Sequence, residues 1–208
     1  EELSYIPKDL LEDEGKSMVI RKVMEQHKDE LKVFSSSMKK QGFIDELKSF
    51  FAEVYQYDVS MEDLKKTMDI MKEEGLRSKM DDILLVMEKF EDYIKERYLI
   101  SEQLLDVLAQ KMDRSQKLKD ATFYLDGFTG FTPIQRKVIE KLLRIGKNVY
   151  VGLTLDGRYV RSRYHEYELF AMSKKEKYEL IKLAQEAGTP VMPDFICWPD
   201  GRDSKELR

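Results

Sequence analysis

The sequence predicts an α/β protein: a large all-helical segment over residues 1–118, then a partial parallel sheet over residues 119–208. Three observations carry this. Apolar residues recur at helical spacing through most of the first 118 positions. Two short apolar runs, ATFYL (121–125) and VYVGLTL (149–155), bracket one amphipathic stretch of helix length. Strand, helix and strand within about 35 residues make a βαβ unit, whose strands run parallel with a right-handed crossover.

Taken in order, the segment from Lys16 to about Lys40 reads as helix, with the pattern weakened from Phe34 to Ser37. Phe43, Leu47, Phe50, Phe51, Val54 and Tyr55 share one face of the next helix, preceded by Gly42. Ser60 with Asp63 is an S-x-x-D start signal. Met61, Leu64, Met68 and Met71 follow it, and Gly75 reads as the stop. The longest stripe is Leu76, Met80, Ile83, Leu84, Met87, Phe90, Ile94 and Tyr98. Ser101 then caps a helix carrying Leu104, Leu105, Leu108 and Met112. These stripes are expected to form a bundle core in which the methionines fill gaps.

Past Lys119 the character changes. Ala121 to Leu125 suits a buried strand, and a glycine-rich turn from Gly127 to Thr132 follows. Thr132, Pro133 and Gln135 supply an N-cap, a proline at the first helical position and a capping-box glutamine. Ile134, Val138, Ile139, Leu142 and Leu143 line that helix, Gly146 closes it, and Val149 to Leu155 is a second buried strand. Ser173 and Glu176 read as another capping box, for a helix stopped by Gly188, Thr189 and Pro190, and PDFICW (193–198) is a possible strand. Parallel sheets are covered on both faces. The rest of this one is therefore expected from the C-terminal tail or from outside the sequence.

Hydrophobic residues are 42% and charged residues 37%, the profile of a soluble helix-rich protein. A single cysteine, Cys197, and two histidines suggest a reducing, cytoplasmic compartment and no metal site. No apolar stretch long enough to span a membrane and no signal peptide is evident. A formal net charge of −4 confines any nucleic-acid contact to a local patch.

Ligands of open parallel sheets bind beyond the carboxyl ends of the strands, where Asp126 stands. In nucleotide-hydrolysing enzymes an aspartate here holds Mg²⁺ and the next acidic residue prepares the attacking water. The next residue here is Gly127, which can neither accept a proton nor orient water. The segment Asp126-Gly-Phe-Thr-Gly-Phe-Thr-Pro-Ile-Gln135 resembles motif II of UvrD-type superfamily 1 helicases, D-E-F-Q-D-T-N-P-L-Q. Asp126, Phe128, Pro133 and Gln135 match, and Ile134 is conservative. Gly127 replaces the catalytic glutamate, Thr129 the glutamine, and Gly130 the second aspartate. This altered form, with the VYVGLTLD strand after it, is similar to the AddB-type subunits of bacterial AddAB (RexAB) helicase-nucleases.

That resemblance implies a partial P-loop helicase-like sheet with a helical insertion, an inactivated motor, and no catalytic residue or cofactor in this stretch. ATP and Mg²⁺ would be used in the parent complex. It also implies single-stranded DNA as ligand, an AddA-type motor-nuclease as heterodimer partner, and a role in recombinational repair of double-strand breaks. A P-loop would precede Glu1, and a nuclease domain with iron–sulfur cysteines would follow Arg208. The match is specific over about residues 120–156 and looser in the order of elements outside it.

Plainer readings stand beside these. Gly127 and Gly130 can be turn glycines with positive φ, Asp126 a surface turn residue, and Gln135 only a cap. Arg158, Arg161 and Arg163, interleaved with Tyr159 and Tyr164, are candidates for phosphate pairing and base stacking, or a solvated loop. Phe128 and Phe131 are stacking candidates, or pack against the neighbouring helix. Gly15-Lys16-Ser17 ends like a P-loop but lacks the first glycine, and His165-Glu166 lacks the second histidine of a zinc-protease pattern. Two rival functions remain: an active ATPase that recruits its glutamate from elsewhere, and a helical scaffold for complex assembly that does not touch DNA.

Overall fold

The computed structural model describes residues 8–155 and 167–195. They form two compact units: one from residues up to 116 together with 132–139, the other from 117–131 together with the residues from 140 onward.

The first unit is helical with a small parallel sheet. Its elements are β1 (Asp9–Leu11), α1 (Asp13–Gln26), α2 (Gln41–Gln56), α3 (Met61–Asp69), α4 (Glu74–Ile94), β2 (Tyr98–Ile100) and α5 (Leu104–Lys111); α6 (Gln116–Lys119) follows. Helix α1 packs against α2 and α4. Ile20, Met24, Ile44, Met87, Phe90 and Ile94 are buried at the centre, with the Phe51 and Phe90 rings 5.6 Å apart. Among the described residues no helix is long and apolar enough to cross a membrane.

Several sequence expectations are corrected here. The stripe ending in Tyr98 is helical only to Ile94. Tyr98, Leu99 and Ile100 pair in parallel with Asp9, Leu10 and Leu11. A three-residue strand is too short to show alternation, so its apolar residues merged with the helical stripe. The first helix stops at Gln26 rather than near Lys40. Beyond it the chain makes two single 3₁₀ turns, and the backbone N–H groups of Lys32, Val33 and Phe34 donate to the Asp82 carboxylate of α4. Gly42 lies inside the first turn of α2, and Gly75 inside the first turn of α4 rather than at the end of α3. Ser101 opens a 3₁₀ turn and does not cap α5. The Ser60 cap is present, accepting the Asp63 N–H at 3.1 Å.

The second unit holds β3 (Thr122–Leu125), β4 (Asn148–Val151) and α8 (Ala171–Glu186); α7 (Pro133–Ile145) is the connection between the strands. The strands pair in parallel, Thr122 opposite Asn148 through Leu125 opposite Val151. Contrary to the expectation of two buried strands, they are not buried on both faces. Tyr124 and Tyr150 stack 5.0 Å apart on an exposed face, while Phe123, Leu125, Val149 and Val151 alternate with them and are half-buried. Two strands alone leave a face open, so an alternating pattern replaces the continuous apolar one. The second strand also ends at Val151, short of Leu155. Helix α8 begins at Ala171 with no side-chain cap, which places Ser173 and Glu176 inside it rather than in a capping box. Gly188, at φ 73°, follows the helix as expected. Residues 193–195 form no strand, and 196–198 lie outside the described residues.

Candidate functional site

Asp126 directly follows the last residue of β3, so strand direction places it at the carboxyl edge of the parallel pair. Its Oδ1 accepts the Gly127 N–H at 2.9 Å. Gly127 takes φ 80°, a left-handed conformation that disfavours any side chain. Gly130 does not share it: positive φ among the described glycines is confined to Gly127 and Gly188.

Gly152, at the end of β4, completes this corner. Its N–H donates to the Leu125 carbonyl at 2.8 Å, and a Cβ there would stand 2.5 Å from Asp126 Oδ1. The missing side chain is what lets the carboxylate lie over the strand end. Sequence reasoning passed over Gly152, although a glycine inside a strand pattern is a signal of close approach.

The two phenylalanines of the turn are brought together, ring centroids 4.8 Å apart and tilted by 35°. Phe131 is buried and Phe128 is 39% exposed, so only Phe128 offers ring surface. In the first unit Gln135 closes a reciprocal capping box: its Oε1 accepts the Thr132 N–H at 2.9 Å, and its own N–H reaches Thr132 Oγ1 at 3.5 Å. Arg158, Arg161, Arg163, Tyr159, Tyr164, His165 and Cys197 lie outside the described residues.

Asp126 is turned onto its own neighbour, and no three His, Cys, Asp or Glu side chains among the described residues converge on one point. Lys16 of the P-loop-like tripeptide lies within α1, buried, with Nζ 2.8 Å from both Asp13 and Glu102. Burial pushes the Lys16 ammonium down, but hydrogen bonds and charge from those two carboxylates outweigh it and hold it above its ordinary value. A lysine so engaged is a structural ion pair and leaves no charge to hold a phosphate.

Comparison with known proteins places the whole of residues 1–208 in the family described as "ADDB, N-terminal". Among similar proteins is the B-type subunit of the ATP-dependent helicase/deoxyribonuclease of Lachnoclostridium phytofermentans, 35% identical over 188 residues, which are 90% of this chain and 16% of that protein. The protein of the same name from Thermoanaerobacter pseudethanolicus is 38% identical over 172 residues, 83% of this chain and 15% of its own length. That of Clostridium novyi is 30% identical over 203 residues, 96% of this chain and 18% of its own. The chain thus spans less than a fifth of the length of these relatives. A match over all 208 residues, joined to the altered turn after Asp126, places the chain in the AddB N-terminal family.

Proposed function

We propose that this chain is a non-hydrolysing, helicase-like module of a helicase-nuclease, one that guides or scans single-stranded DNA during recombinational repair of double-strand breaks. The observation that carries the reading is the Asp126–Gly127 corner. An aspartate stands where a parallel sheet would hold Mg²⁺, followed by a glycine at φ 80°, a left-handed conformation that disfavours the glutamate of the active pattern. A P-loop helicase-like architecture for the sheet, ATP used elsewhere in the complex, a cytoplasmic setting and an AddA-type motor-nuclease partner belong to the same proposal. The names of the relatives, each one component of a helicase/deoxyribonuclease, favour it. DNA contact is assigned to Arg158, Arg161 and Arg163, with Phe128 as the accessible stacking ring of the turn.

Fluorescence anisotropy of a labelled single-stranded oligonucleotide across a salt series tests it, comparing the chain with its R158A/R161A/R163A variant. Salt-sensitive binding that weakens in the variant, with a shallower salt slope, is expected. No binding by the unaltered chain at low salt would overturn the DNA-guiding reading in favour of an assembly scaffold.

A further inference from the structure

Helix α8 buries an uncommon set of side chains near its start: Ser173, Lys174 and Glu176. Lys174 is paired with Glu168, whereas Glu176 reaches the turn that follows Asp126. Glu176 is only 4% exposed, and its Oε2 lies 3.4 Å from where a Cβ at Gly130 would stand. A carboxylate is costly to bury unless its surroundings use it. Backbone conformation does not demand glycine at 130, because its φ is not left-handed. Space limits only how long a side chain there can be. At 3.4 Å a methyl group fits in ordinary contact, but a longer acidic side chain from position 130 would enter the volume that the Glu176 carboxylate fills. It would also set two like charges against each other.

We propose that Glu176 is a positioning residue for the Asp126–Phe131 turn, delivering from α8 the carboxylate that position 130 carries in the active helicase pattern. Positions 130 and 176 then form one exchangeable pair: one carboxylate between them, borne by either residue but not by both. The glycine is matched to Glu176, and the turn that presents Asp126 and Phe128 keeps an acidic anchor although its own acidic residue is gone. The inference concerns the turn itself and does not depend on DNA binding.

Amide hydrogen exchange of residues 127–131 in the full chain tests it through a two-by-two set: unaltered, E176A, G130D, and the G130D/E176A pair. Each single variant is expected to speed exchange of the turn about tenfold, and the pair to return within about threefold of the unaltered chain. Gly130→Ala, which the space admits, is expected to leave the turn unchanged. Should E176A unfold the unit, E176Q with and without G130D carries the same comparison. Effects that multiply in the double variant, or a turn indifferent to E176A, overturn the proposal. Rescue by G130D is the outcome that loss of packing on α8 alone cannot produce.

Discussion

Replacing Asp82 with alanine removes the acceptor of three backbone donors at once. This residue of α4 is 1% exposed, and its two oxygens accept the N–H groups of Lys32, Val33 and Phe34 at 2.8 Å each. A stranded buried donor costs about 1–3 kcal/mol. Lys32 and Val33 lie near solvent, where water replaces part of the loss, so those two count at about half and Phe34 in full. The sum is a destabilisation of about 2–6 kcal/mol. With a urea slope of about 2 kcal/mol/M, the midpoint of the helical unit falls by about 1–3 M. Asp82→Asn retains one oxygen acceptor and is expected to lose about 1–2 kcal/mol. Urea titration followed by far-ultraviolet circular dichroism measures both. A loss below about 1 kcal/mol for the alanine variant would refute the reasoning, since it would mean that water satisfies the 32–34 segment without Asp82.

Two further predictions concern charge and space. Burial pushes the Glu102 carboxyl up, but the hydrogen bond and charge of Lys16 outweigh it and hold it below its ordinary value. Its contribution is therefore present above the ordinary carboxylate range and lost as pH falls through the lowered folded value. Glu102→Gln is expected to flatten the acid limb of stability, read as a smaller difference in urea midpoint between pH 7 and pH 3. Gly152→Ala would place a Cβ 2.5 Å from Asp126 Oδ1, so the carboxylate must leave its position and release the Gly127 N–H. A changed Gly127 amide resonance with β3 and β4 still paired is the expected signature.

Much of the stretch past Lys119 was legible because its signals are local. Thr132, Pro133 and Gln135 form a cap within four consecutive positions, and both strands with their parallel pairing follow from short apolar runs around one helix. Asp126 and Gly127 were readable for the same reason. What escaped depends on partners distant in the chain. Nothing near residue 9 announces a strand until Tyr98–Ile100 supplies its neighbour. The segment after the first helix is held by Asp82, some fifty positions away. Gly152 and Glu176 acquire meaning only beside Asp126 and Gly130. The capping box read at Ser173 and Glu176 failed because α8 starts two residues earlier, at Ala171, so that both lie inside the helix, where they are buried.

The β1–β2 ladder has a consequence for the order in which the helical unit assembles. It joins Asp9–Leu11 to Tyr98–Ile100, closing a loop of about 90 residues with three paired positions. Closing such a loop from a free chain costs about 4 kcal/mol in chain entropy, more than a ladder of this size returns by itself. The seam therefore forms after α1 has docked on α4, when packing has already brought the two ends together. By the same balance it is the part of the unit that opens first. An early rise in proteolytic cutting near Arg97, with α1 to α4 still helical, is the form that opening takes.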